Sequence, residues 1–181
     1  KIYQRREDPV ATIDLILGYA DRQQRINPAE ASRAFREAAE IALHGSNDAL
    51  KATELYQRAL QSNPLNMDAA EELNALLESQ GDFQKQASFL QELYATLPAR
   101  RCDPGYLALI CYRLGDLWNQ RFMQPEAALE CFRRALEHDR NMLAAMFEAR
   151  LIHLSAGDFL NAAEFYRMEI KAETDRERKA R

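Results

Sequence analysis

The feature that most limits how this chain can fold is an internal repeat. Asn27-Pro28 and Asp103-Pro104 stand 76 residues apart, and Gly81-Asp82-Phe83 and Gly157-Asp158-Phe159 stand at the same offset. The offset also joins two helical stripes. Ala128, Phe132, Ala135 and Leu136 each follow Ala52, Tyr56, Ala59 and Leu60 by 76 residues. In both sets the apolar side chains are spaced as one face of a helix. Residues 27–102 and 103–178 therefore read as two copies of one unit. A shorter period runs inside each copy. Pro64 and Pro98 are 34 apart, and so, within one residue, are the turn after Leu43-His44 and the turn at Gly81. A period of that length marks stacked supersecondary units, none of which buries its apolar face alone.

Residues 125–138 show the packing that the repeat demands. Pro125 stands at a first helical position, where the absent N–H is no loss. The methyl-sized Ala128 and Ala135 admit a second helix at close range, and Phe132 and Leu136 fill the space beside them. Such a helix is half of a packed pair.

Taken in order, residues 1–26 hold a charged lead-in, residues 1–8, and a helix from Asp8-Pro9 to about residue 24, with Ile13, Ile16, Leu17 and Ala20 on its stripe. This helix is either the closing helix of a preceding unit or a dedicated cap. Asn27-Pro28 opens a helix to about His44, Gly45-Ser46-Asn47-Asp48 turns the chain, and residues 49–62 return. Helices over 67–79 and 83–96 follow, with Ala70, Leu73, Ala75, Leu76 and Leu77 on the first. Gly81 lies between them in a turn that calls for a positive φ. Residues 99–103 are the longest polar break. Helices over about 104–121, 125–138, 142–156 and 159–171 complete the second copy. Residues 172–181 show no apolar face, and Thr174 or Asp175 could cap a further helix; residues 179–181 are tail.

Composition narrows the function classes. The net charge of −4 and the absence of a basic stripe with aromatics argue against nucleic acid. No apolar run approaches the roughly 20 residues of a membrane span. Three cysteines, an odd number, form no disulfide framework and point to a reducing, cytoplasmic compartment. The chain starts at Lys1, so its true N-terminus, and any leader, could lie upstream.

Leu114-Gly115 with Trp118, then Ala128, Phe132 and Ala135, closely resemble the tetratricopeptide repeat. So do Gly81-Asp82-Phe83 with Pro98, and Gly157-Asp158-Phe159 with Ala162 and Tyr166. The likeness covers residues 27–172. It departs at Ala38-Ala39, where Leu-Gly is usual, at Gln86 and Leu90, and at Glu169, which replaces a small residue. The resemblance implies an all-α solenoid: antiparallel helix hairpins in a right-handed superhelix, about four hairpins plus the N-terminal helix. The alternation of tight pair and longer boundary resembles long arrays in large bacterial proteins, which implies a segment of something larger.

In proteins of this family the first helix of each pair lines a concave face that binds peptides or partner helices. That assignment gives Arg33, Arg36, Glu40 and His44, then Asp68, Glu71, Ala75 and Glu78, then Leu109, Tyr112, Asp116 and Asn119, then Phe147, Leu151 and Leu154. The expected groove is charged at one end and apolar-aromatic at the other. Tyr112, Phe147 and Leu151 would grip an apolar anchor; alternatively they pack against the last helix or a next repeat. The clamp for a C-terminal carboxylate is rejected, because Glu40, Glu72 and Leu109 interrupt the Lys, Asn and Arg that it needs around Arg36 and Arg113.

Catalysis and metal binding are not expected. Cys102, Cys111, Cys131 and His138 lack ligand spacing. Glu71-Glu72 and Glu126/Glu130 read as solvated helix faces, and His153 as a hydrogen-bonded core residue. No cofactor motif is present. The expected function is a non-catalytic protein–protein interaction scaffold, with a protein or peptide partner of unspecified identity. The alternative is a peptide-sensing regulator of an effector outside this chain. Self-association through terminal repeats is a further expectation.

If Ala135 lies between paired helices, Ala135→Leu should overpack the pair and lower stability by roughly 1–3 kcal/mol. Thermal denaturation measures it; an unchanged melting temperature would remove Ala135 from the interface.

Overall fold

A computed structural model describes residues 9–97 and 102–180, with side chains through residue 174. Residues 1–8 with the Asp8 cap, the Pro98 stop, most of the 99–103 break, and Asp175 as a cap lie outside that description.

Among the described residues there are nine helices and no strand. They are α1 (Pro9–Gln23), α2 (Pro28–Gly45), α3 (Ala49–Ser62), α4 (Met67–Gln80), α5 (Phe83–Thr96), α6 (Pro104–Gln120), α7 (Pro125–His138), α8 (Leu143–Ser155) and α9 (Phe159–Ala180). Local chemistry sets their starts. Asn27 Oδ1 accepts from the Glu30 N–H at 3.3 Å, just ahead of Pro28. Asp48 accepts from Lys51 N at 2.9 Å, and Asn66 from Ala69 N at 3.2 Å. Each satisfies one of the donors that a helix N-terminus leaves open. Gly81, at φ +70°, and Gly157, at φ +73°, turn the chain in the left-handed region that the sequence predicted for Gly81.

Contacts divide the chain into two compact units, Lys1–Gln86 and Ala87–Arg181, with the cut inside α5. In the first, α2 pairs with α3, α1 packs on α2, and α3 packs on α4. Phe35, Leu55, Tyr56 and Leu73 are the large side chains of its core. The Arg58 guanidinium lies 4.2 Å from the Phe35 ring centre and pairs with Asp21, tying α3 to α1. In the second unit α6 pairs with α7, α8 with α9, and α7 packs on α8. Its core gathers Cys111, Ala128, Phe132, Ala135, Ala145, Ala149 and Ile152.

Helix approach is tightest at Gly115. A Cβ there would stand 2.6 Å from the Phe132 ring, closer than any side chain tolerates. The equivalent positions of the first unit hold Ala39 and Tyr56, both buried. At Asn74 and Gln86 the pattern changes character. Gln86 Nε2 donates to Asn74 Oδ1 at 3.0 Å, both residues being buried. The unusual Gln86 thus has a partner across the α4–α5 turn, as a buried amide requires.

Two expectations fail. Ala75 is exposed, not inward. The last helix runs to Ala180 instead of stopping near Lys171. Residues 172–180 contain no Gly or Pro and several strong helix formers, so nothing ends it. Thr174 caps nothing there; its hydroxyl donates to the Ile170 carbonyl at 2.8 Å within α9.

Gly115→Ala should destabilise the chain by roughly 1–3 kcal/mol, because Phe132 is fully buried and cannot yield. Gly18 sits inside α1 with open space where a methyl would stand, nothing lying within 4 Å of it. Gly18→Ala should therefore stabilise the chain by roughly 0.5–1 kcal/mol. Paired denaturant titrations test both signs.

Candidate partner-binding surfaces

Both units place a small polar constellation on their first helices, and the two differ in charge. In the first unit the Arg36 guanidinium is the hub. Its Nη1 lies 3.1 Å from Glu72 Oε1, 3.2 Å from Glu40 Oε1 and 3.7 Å from Asp68 Oδ2. Ser32 joins the same pair of helices, accepting from Asn66 Nδ2 at 2.8 Å. Burial, then the charge of Glu40, works to raise the Glu72 carboxyl, and Arg36 works against them. The Tyr56 hydroxyl beneath is pushed well above the usual tyrosine range, first by burial and then by the charge of Glu72.

Several expected groove residues therefore meet. Arg36, Glu40 and Asp68 share one cluster, and Glu72 is the member that sequence reasoning had set aside as solvated. Arg33 stands outside it, with a side chain 76% exposed and Glu30 for a partner at 3.5 Å. Ala75, Glu78 and His44 are exposed, and Glu71 is half-buried.

In the second unit the equivalent of Arg36 is Tyr112. Its ring packs on the core, 5.8 Å from the Phe132 ring centre. Burial pushes the Tyr112 hydroxyl up, and the charges of Asp116 and Glu148 add to this. Glu148 was not anticipated; it stands 76 residues after Glu72, which is the signal that could have found it. Burial raises the Glu148 carboxyl above the usual carboxylate range, and the charge of Asp116 raises it further. Asp116 also accepts from Gln120 Nε2. Leu109 and Asn119 are half-buried.

On α8 an apolar stripe stays open. Phe147 is 44% exposed, and Leu151 and Leu154 are each 41% exposed. The last helix does not cover them, which was one of the two expected arrangements. Beside the stripe, Arg150 and Glu169 pair at 2.7 Å with little exposure, and the Arg150 guanidinium lies 4.9 Å from the Phe147 ring centre.

Solved structures share this arrangement. The chain is similar to MamA with a TM-score of 0.61 and 14% identity, over 98% of this chain and 99% of that one. It is similar to the N-terminal domain of stress-induced protein-1 from C. elegans, with a TM-score of 0.58 and 20% identity over 69% of this chain and 97% of that one. The likeness to PilF of Pseudomonas aeruginosa has a TM-score of 0.55 and 21% identity, over 91% and 76%. All three carry tetratricopeptide repeats. This chain has the tetratricopeptide-repeat fold. No protein-family model matches it, and no curated protein matches it in sequence.

The tetratricopeptide register explains which side chains share a surface. Arg36 and Tyr112 occupy one repeat position, Glu40 and Asp116 a second, and Glu72 and Glu148 a third on the following hairpin. The chemistry available there is ionic and apolar contact. Among the described residues no group of His, Cys, Asp and Glu is arranged to hold a metal ion. Burial pushes the Cys111 thiol up to about 11, so it is an inert buried group. His153 Nδ1 lies 3.1 Å from Asp158 Oδ2, and its ring stacks on Phe165, the structural role expected of it. No helix among the described residues is long and apolar enough to cross a membrane.

A pH prediction follows from Glu148. A carboxyl raised in the folded state favours folding below its unfolded value, and that contribution is lost as pH rises through the folded value. At pH 7 wild-type Glu148 is therefore ionised at a cost. Glu148→Gln should melt higher than wild type at pH 7, and the gap should close near pH 4. Melting curves across that range check the sign.

Proposed function

We propose that this chain is a non-catalytic protein-interaction module whose first-helix surfaces bind a peptide or a partner helix. The observation that carries the reading is the α8 stripe. Phe147, Leu151 and Leu154 are spaced four and three residues apart and keep more than two-fifths of their surface open. An apolar stripe of this kind, next to polar groups, suits an amphipathic segment. The repeat fold supports it, since stacked hairpins present extended surfaces and leave little enclosed space for chemistry. Tyr112, Asp116 and Asn119 belong to the same surface. Arg33, Arg36, Glu40 and Glu71 belong to the corresponding surface of the first unit, where Arg36 is held by its own carboxylates and contributes shape more than free charge. The three free, buried cysteines support a reducing, cytoplasmic setting.

Phe147→Ala and Leu151→Ala should each abolish capture of specific partners in a pull-down while shifting the melting temperature by no more than about 2 °C, as expected for exposed sites. Leu160→Ala, at an 87% exposed site on α9, should leave capture intact. If the two α8 variants melt several degrees lower, those residues are core and the reading fails.

A further inference from the structure

The duplication holds one polar constellation in two states. In the first unit Glu40 and Glu72 converge on the Arg36 guanidinium, at 3.2 and 3.1 Å. Seventy-six residues later the carboxylates persist as Asp116 and Glu148, and the arginine has become Tyr112. The pair of acids is thus kept where that arginine is lost. Two carboxylates near one another repel, and that repulsion is part of what raises Glu148. Gln120, the neutral donor to Asp116, leaves the charge in place.

We propose that the α6–α8 surface takes an arginine or lysine side chain of a partner polypeptide between Asp116 and Glu148, against the Tyr112 ring, with the partner's adjacent apolar side chains on Phe147 and Leu151. The first unit shows the filled form of the site: the same two repeat positions already hold a guanidinium there. Tyr112 suits the role because a tyrosine face attracts a cation. Its ring is anchored on Phe132, so the surface is pre-shaped. The apolar stripe begins at Phe147, the residue preceding Glu148, so charge and apolar contact come from one short stretch of partner. An acidic or neutral partner would cover Glu148 and add nothing to offset its desolvation.

This inference rests on the peptide-binding reading, and one experiment separates the two. The probes are fluorescent nonapeptide pools with randomised flanks and a central Phe-Arg-Leu, Phe-citrulline-Leu or Phe-Glu-Leu. Citrulline keeps the shape of arginine and removes its charge. Anisotropy gives affinity, and NMR shifts locate binding on Tyr112, Phe147 and Leu151. The expected result is binding of the arginine pool about tenfold tighter than the citrulline pool, with the glutamate pool weakest. Glu148→Gln and Asp116→Asn, checked for unchanged folding by circular dichroism, should each remove most of that preference. Raising the salt from about 0.05 to about 0.5 M should narrow it. Equal binding of the arginine and citrulline pools on this surface would overturn the cation site and leave the peptide reading standing. Failure of every pool to shift these residues would overturn both.

Discussion

The contact between Gly115 and the Phe132 ring sets how closely α6 and α7 run, and the rest of their unit is built out from that distance. Paired helices normally lie about 8–10 Å apart, and the near end of that range requires small side chains at the crossing. Gly115, Ala128 and Ala135 supply them, and the buried Phe132 fills what remains. Full burial of such a ring is worth roughly 1.5–3 kcal/mol, so hairpin closure and core formation are one event. Ala38, Ala39, Ala42, Ala52 and Ala59 do the same around Tyr56 in the first unit. Each hairpin still leaves one face uncovered, which is why α1 lies on α2 and α7 on α8.

Because close packing occupies the small positions, the first-helix positions between them are free to change without disturbing the fold. Position 36 and its equivalent, 112, show this freedom: an arginine gathered into an ion cluster in one unit, and a tyrosine laid on the core in the other. Both solutions cover the same kind of helix pair. They leave different surfaces. The first gathers its acids around Arg36, while the second keeps its acids and adds an apolar neighbour on α8. Duplication followed by change at such positions alters recognition and leaves the scaffold alone.

What could be read from the chain tracks the range of the interaction responsible. Proline, glycine and Asx punctuation is local chemistry, and it placed α2 through α7 to within a residue or so at each end. The small-residue register is set by one neighbouring helix, and Ala52, Ala59, Ala128 and Ala135 are all fully buried. Surface clusters depend on side chains from two hairpins at once. Glu72 and Glu148 were therefore missed, although their shared offset was present in the numbering. Ala75 was misplaced because its helix carries apolar residues on more than one side, so periodicity alone did not select a face. The length of α9 was misjudged for a related reason: a charged segment without an apolar stripe was taken as a tail, whereas its residues need only propensity to extend an existing helix.

The fourth hairpin shows what happens when the small-residue rule is broken. Arg150 stands where Asn74 stands in the first unit, and Glu169 takes a place that Ala135 and Ala59 fill elsewhere. Two long charged side chains cannot nest as alanines do, yet both are mostly buried and bond at 2.7 Å. A buried ion pair adds little net stability over apolar packing, but losing one partner strands a charge. The pair therefore acts as a clasp of fixed geometry between α8 and α9 more than as a source of binding energy between them. Its Arg150 also reaches the rings of Phe147 and Tyr166, at 4.9 and 5.5 Å. Phe147 is thus held in place from beneath by a cation while its outer surface stays open. A side chain kept exposed and oriented in this way presents apolar area with little rotamer freedom left to lose, which is the condition under which a surface binds a partner at the lowest entropic cost.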